Sequence, residues 1–295
     1  MESLATTYNN LYLDARRRLR AAGAAAAELE ARELLCFASD KDRSQLYRDL
    51  TLYAADSVAA RLEALLERRL AGEPVAYLIG EWEFYGLPLD ISPEVLIPRA
   101  DTEVLAARAI ELAEAAGEGA RVLDLCAGSG CVGLAVAAKA PGCRAVLADL
   151  SEGALRLCRQ NVRRNSLSAR VSCLPADARS RPPAVLGDFD VIVCNPPYIP
   201  SGEIAGLDVS VRDYEPHMAL DGGADGLDFY REICSLWLDA LRRPGTLLFE
   251  VGAGQAPQVE LIMARAGLEQ ILTHRDTGDI WRVVEGRLDQ RRQDA

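Results

Sequence analysis

The chain has 295 residues, 49% apolar and 26% charged, with a net charge of −11. That length accommodates one large domain and a small one, and the composition is that of an ordinary globular protein. No run of eighteen apolar residues occurs, which excludes a transmembrane helix. The opening MESLATTYNNLYLDARRRLR places its arginines after the apolar residues, so the ordering of a secretion signal is missing and a cytoplasmic protein is expected. Residues 1–73 carry 11 Lys+Arg against 12 Asp+Glu, and residues 74–295 carry 22 against 32. A protein that neutralises nucleic-acid phosphates concentrates Lys and Arg on its binding surface. The acidic larger part argues instead for a basic protein partner, with no direct nucleic acid.

In chain order, the first segment reads as helices. Leu4, Tyr8, Leu11 and Leu19, then Leu29, Leu34, Leu35 and Phe37, recur at steps of three and four, and Asp56–Leu70 repeats the pattern before Gly72-Glu73-Pro74. Residues 1–73 are therefore expected to form an all-helical domain that binds the macromolecular substrate. Residues 74–97, with Val75, Tyr77, Trp82, Phe84, Tyr85 and Leu89 among Gly80, Gly86 and Pro88, predict a β-hairpin linker. Residues 98–295 form the remaining domain, which opens on Pro98-Arg99-Ala100-Asp101 and an alanine-rich helix to Ala116 with Asp101 or Thr102 as N-cap.

From Arg121 onward, strands alternate with helices: RVLDLC, a helix from Val132, AVLAD, a helix from Glu152, VSCLPAD, VIVCN, a helix from Asp228 and TLLFEV. Two further strands, LEQILTHRD and DIWRVVEGRL, close the chain. The alternation predicts an α/β fold, a doubly wound, mostly parallel sheet. Eight cysteines lie scattered in apolar stretches without a Cys-x-x-Cys pair, and the two histidines, His217 and His274, are far apart. Free thiols are expected, and no metal site.

The first chemical motif follows the RVLDLC strand. Gly128, Gly130 and Gly133 form a Gly-x-Gly-x-x-Gly turn into a helix, where the backbone turns sharply and approaches a ligand. Asp149 ends the next strand 21 residues after Gly128, placed to accept from ribose hydroxyls. Taken alone, this pattern fits a dinucleotide-binding dehydrogenase equally well. Asp124 and Asp177 change the balance. Acids at three successive strand ends suit the ammonium, the ribose and the adenine of S-adenosylmethionine. Cys126, Ala127, Gly130, Leu150, Ala178 and Asn195 are the accompanying candidates for cofactor contact.

Asn195-Pro196-Pro197-Tyr198 follows the apolar strand Val191–Cys194, at the same sheet edge. Prolines stiffen the loop and leave carbonyls as acceptors. Asn195 offers an acceptor and two donors, and Tyr198 an aromatic face for a sulfonium cation. The set can hold a planar –NH₂ group, so Asn195, Pro196 and Tyr198 are the candidate catalytic residues, with Pro197 in substrate contact. Accepting both N–H hydrogens, at Asn195 Oδ1 and the Pro196 carbonyl, raises electron density on a poorly nucleophilic nitrogen without a strong base.

These residues resemble those of the bacterial release factor glutamine methyltransferases, relatives of the DNA adenine-N6 methyltransferases. The matching stretches are PVAYLIGEWEFYG, LIPRADTE at 96–103, DLCAGSG at 124–130, NPPYIP at 195–200, VRDYEPHMALDGGADGLDFYREI at 211–233 and RDTGDIWRVV at 275–284. The resemblance implies a class I methyltransferase fold, a seven-stranded sheet with one antiparallel strand. It implies methylation of the glutamine of the Gly-Gly-Gln motif in class 1 peptide-chain release factors. Asp124, Gly128, Asp149 and Asp177 would then contact the cofactor and Asn195, Pro196 and Tyr198 the glutamine, with Arg99, Asp101 and Glu103 shaping the entrance. Ala100 departs from the second proline usual in the family, and Cys126 from a glycine. A glutamine methyltransferase of a large-subunit ribosomal protein is the nearest alternative; the DTE tripeptide after Pro98-Arg99 favours the release-factor branch. A DNA adenine-N6 methyltransferase would carry a basic recognition region, and a non-catalytic cofactor-binding protein would not need an intact Asn-Pro-Pro-Tyr.

Overall fold

The computed structural model describes residues 6–289, and Leu4 of the first periodic stretch lies outside them. The chain divides into two compact units, one running to Glu81 and taking in Val209–Tyr214, the other comprising Trp82–Asp208 and the chain from Glu215 onward.

In the first unit the expected helices form: α1 (Tyr8–Ala21), α2 (Ala27–Ser39) and α4 (Asp56–Leu70). A short helix that the periodic stretches did not include, α3 (Arg43–Asp49), lies between the last two. Leu19, Leu34, Leu35, Leu62 and Leu66 of the periodic stripes are buried. Arg69 reaches Glu30 through two hydrogen bonds of 2.8 and 3.0 Å, and Arg18 meets Glu63, so ion pairs join helices distant in sequence. Residues 75–79 differ from the expected strand. They form a short helix, α5 (Val75–Ile79), with Pro74 as N-cap and Gly80 closing it in the left-handed region at φ 78°. Proline before the first turn and glycine just after the last suit a helix end better than a strand.

The second unit opens on the hairpin, which is confined to β1 (Glu81–Phe84) and β2 (Leu87–Asp90). Tyr85 and Gly86 turn it at φ 53° and 77°, the two positive values that a two-residue hairpin loop requires. The hairpin is tied to the larger sheet domain through Asn161, which is fully buried. Its Oδ1 accepts from Asp90 N at 2.6 Å, and its Nδ2 donates to the carbonyls of Asp90 and Ser129.

The sheet contains β3 (Arg121–Leu125), β4 (Arg144–Asp149), β5 (Val171–Pro175), β6 (Phe189–Cys194), β7 (Leu241–Glu250), β8 (Glu269–Arg275) and β9 (Trp281–Leu288). Its order is β5-β4-β3-β6-β7-β9-β8, and β9 alone runs against its neighbours. The helices are α6 (Glu103–Ala116), α7 (Cys131–Lys139), α8 (Glu152–Arg164), α10 (Asp228–Leu236) and α11 (Ala256–Arg265), while α9 (Val209–Arg212) belongs to the first unit. Side-chain alternation divides the strands between two cores. Leu123, Leu125, Ile192, Cys194, Leu247 and Phe249 meet Tyr230, Ile233, Trp237, Val259 and Met263 of the α10–α11 region. Asp124, between Leu123 and Leu125, points to the other face, where α7 lies. Helix α11 fell in a stretch to which the sequence pattern assigned no element. The parallel strands β3, β4, β5 and β6 all end at one edge, so the loops after them converge.

Candidate active site

A single cleft at that edge is lined by Asp124, Cys126, Ala127, Gly128, Asp149, Leu150, Asp177, Ala178 and Asn195, which are nine of the ten residues expected to touch a cofactor. Gly130, the tenth, does not line it. It caps α7 at φ 81°, and a Cβ there would come within 2.8 Å of Leu147 Cδ1. Its glycine serves close helix–strand packing, as does Gly133, whose added Cβ would fall 2.3 Å from Leu147 Cδ2. Gly128, by contrast, at φ 54°, would meet nothing within 4 Å, so its backbone faces open space.

The three acids differ in environment. Asp124 is 2% exposed; its Oδ2 accepts from Gly133 N at 2.8 Å. Burial pushes its carboxyl up to about 7, the Gly133 bond opposes that rise, and the charge of Asp149 adds to it. A buried carboxyl lining a cleft, with one backbone partner, calls for a cation. Asp149 is also raised by burial, with its oxygens accepting from Gly128 N and Ser151 N at 2.8 Å each. Each oxygen retains a lone-pair direction for a further donor. Asp177 accepts from Arg179 N and Ser180 Oγ. Trp237 Nε1 donates to the Ala178 carbonyl at 2.9 Å, anchoring this strand end to α10's C-terminus. Phe229 and Arg179 complete that wall; Arg179 lies over the Phe229 ring and is held by Glu232.

Asn195 and Pro197 also line the cleft, whereas Pro196 and Tyr198 are not among its lining residues. Segment 220–226 clamps the loop. Ile199 N donates to Leu220 O, Gly222 N to Ile199 O and Ser201 N to Gly223 O. A Cβ on Gly222 would stand 2.7 Å from Tyr198 Cα, and one on Gly226 2.3 Å from the Tyr198 carbonyl. Gln255 Nε2 donates to that carbonyl at 2.9 Å. Gly222 and Gly226 therefore allow one backbone to lie directly on another. Burial raises the Tyr198 phenol well above its usual range, so it stays neutral.

Of the three entrance residues, Arg99 lines the cleft and is held by the buried Glu215. Asp101 pairs with Arg282 at 2.9 Å, and Arg282 also meets Asp276 at the β8–β9 turn. Glu103 accepts from Tyr85 N at 3.2 Å and does not reach the lining. Thr102, weighed in the sequence only as an N-cap, makes no cap bond; its hydroxyl accepts from Asn195 Nδ2 at 3.4 Å. Glu250 and Glu215 went unnoticed in the sequence. The only available signal was an acid inside an apolar strand (LLFEV) and one before Pro216. Among the described residues, no group of His, Cys, Asp or Glu could hold a metal ion, and every described cysteine is free.

Residues 10–80 match the family described as PrmC N-terminal domain, and residues 102–208 that described as Methyltransferase small domain. The release factor glutamine methyltransferase of Bradyrhizobium diazoefficiens is 41% identical over 85% of this chain and 84% of its own. That of Geobacter sulfurreducens is 40% identical over 89% of this chain and 90% of its own. A methyltransferase from Pyrococcus furiosus, 16% identical, superposes with a TM-score of 0.51 over 76% of this chain and 98% of that one, a likeness of fold. With the cleft, the seven-stranded sheet and these relatives in agreement, the chain belongs to the release factor glutamine methyltransferase family.

Proposed function

We propose that this enzyme transfers a methyl group from S-adenosylmethionine to the side-chain amide nitrogen (N5) of the glutamine in the Gly-Gly-Gln motif of class 1 peptide-chain release factors. The observation that carries the reading is the position of Asn195 and Pro197 in the same cleft as Asp124, Asp149 and Asp177. The donor set fits the cofactor: a buried acid that needs a cation, a second acid with free lone pairs beside an open glycine backbone, and a third beside an aromatic wall. S-adenosylmethionine, when bound, supplies an activated methyl group.

The chain's residues do the rest. Asp124 would hold the cofactor's ammonium, Asp149 its ribose hydroxyls and Asp177 its adenine amino group. Asn195 Oδ1 and the Pro196 carbonyl would accept the two amide hydrogens, raising electron density on the nitrogen and fixing its orientation. The new N–C bond would replace the cofactor's methyl–sulfur bond, whose electron pair stays on the sulfur, and the nitrogen would release one proton to water. Neutral Tyr198, gripped through its carbonyl by Gln255, stiffens the loop. Preorganised acceptors stabilise the charge that develops during transfer without having to reorganise. The helical unit, residues 1–73 in the sequence reading, would bind the release factor, in a cytoplasmic setting and without direct nucleic-acid contact. Among the described residues no helix is long and apolar enough to cross a membrane.

Purified protein incubated with methyl-labelled S-adenosylmethionine should label a class 1 release factor, and not one whose Gly-Gly-Gln glutamine is replaced. Label appearing on a large-subunit ribosomal protein or on DNA, with none on release factor, would overturn the substrate assignment.

A further inference from the structure

Glu250 closes β7, is 2% exposed, and its Oε2 has no hydrogen-bond partner. Bringing a carboxylate into such a place is costly unless it is paired. Its carboxyl lies beside the side chains of Thr102 and Asn195, both of which favour its charged form as hydrogen-bonding partners. Thr102 is equally buried. Its hydroxyl has one proton to give and already accepts from Asn195 Nδ2.

We propose that Glu250 acts through Thr102 as a positioning device that sets which end of the Asn195 carboxamide faces the substrate; this rests on the substrate-amide reading above. An ionised Glu250 can only accept. The Thr102 hydroxyl then donates to it, and Asn195 Nδ2 has two acceptors on that side, the threonine oxygen and the carboxylate itself. With its nitrogen so engaged, Asn195 turns Oδ1 toward the cleft as an acceptor for the substrate N–H. A protonated Glu250 reverses the relay. It donates to Thr102, the hydroxyl proton becomes available to Asn195 Oδ1, and the amide presents –NH₂ to another –NH₂.

Burial pushes Glu250 up to about 7, so the reversal falls near neutral pH. The other groups facing it are Arg282, which favours ionisation, and Asp101, which opposes it. Tyr198, Tyr230 and Cys131 also feel its charge, and all three are held neutral by burial. The relay leaves the cofactor acids untouched, so it should act on turnover and spare cofactor affinity.

Thr102→Val, which removes the relay hydroxyl, should lower kcat tenfold or more and leave the S-adenosylmethionine Kd within about threefold. Thr102→Ser should restore most of the rate. Wild-type kcat should rise with pH around neutrality, and Glu250→Gln should flatten that rise. In the cofactor-free protein, the side-chain ¹⁵N resonances of Asn195 should titrate near the same pH and stop titrating in Glu250→Gln. An Asn195 signal that ignores pH in the wild type, or titrates unchanged in Glu250→Gln, would overturn the relay whatever the substrate is. So would a Thr102→Val enzyme with wild-type kcat, or one that loses rate and cofactor affinity in step. A wild type inactive on release factor would strike the substrate assignment alone, because the resonance test does not depend on it.

Discussion

Asp124→Asn offers the sharpest test of how the cleft is built. The aspartate is buried, and its carboxyl is raised from 3.8 to about 7. Between those limits the folded protein holds a proton that the unfolded chain has released. Stability is therefore fully present below about pH 4 and is lost as pH rises toward 7, at up to about 1.4 kcal/mol per pH unit. Across the window the sum is on the order of 4 kcal/mol. Asparagine keeps an acceptor for Gly133 N but cannot ionise. Urea denaturation from pH 4.5 to 8 should show wild type and variant converging at the acid end. Above neutrality the variant should be the more stable by a few kcal/mol. Glu250, itself raised to about 7, adds a parallel slope to both proteins and cancels in their difference. S-adenosylmethionine should invert the ranking, because its ammonium compensates the aspartate charge in the wild type only. Its affinity for the wild type should improve up to about tenfold per pH unit as pH rises toward 7. Parallel stability curves for the two proteins, or a pH-independent affinity, would refute the assignment of Asp124 as a buried acid awaiting a cation.

Three further outcomes are expected. Asn195→Ala should lower kcat by at least about 100-fold and change the calorimetric Kd for S-adenosylmethionine far less, since the acceptor it removes serves chiefly the substrate nitrogen. Asp149→Ala should do the reverse, raising that Kd first, because it removes the carboxylate that organises Gly128 and Ser151. Gly222→Ala would set a Cβ 2.7 Å from Tyr198 Cα and 2.8 Å from the Pro197 carbonyl. It should cost about 1–3 kcal/mol in chemical denaturation, with kcat falling and cofactor binding largely kept.

What the sequence by itself determined is what short-range chemistry controls. Period-two and period-3.6 apolar patterns marked α1, α2 and α4 and the strands from β3 to β9, and acids at strand ends marked Asp124, Asp149 and Asp177. Asn195-Pro196-Pro197-Tyr198 was legible because a stiff polar loop after a buried strand needs a partner. Local signals misled where two rules competed. Val75–Ile79 has strand-forming residues, but Pro74 and Gly80 supply helix ends. Thr102 has the chemistry of an N-cap, yet its hydroxyl goes to Asn195, 93 residues away. Only the tertiary structure decided such pairings. Buried polar groups must find partners, and β7 sets Glu250 beside a turn and a loop remote from it in sequence. The same holds for the glycines: 128, 130 and 133 share one motif. Strand β4 behind two of them and open space before the third separate packing from ligand approach. No periodicity reports those distances, because they arise from contacts between elements rather than along the chain.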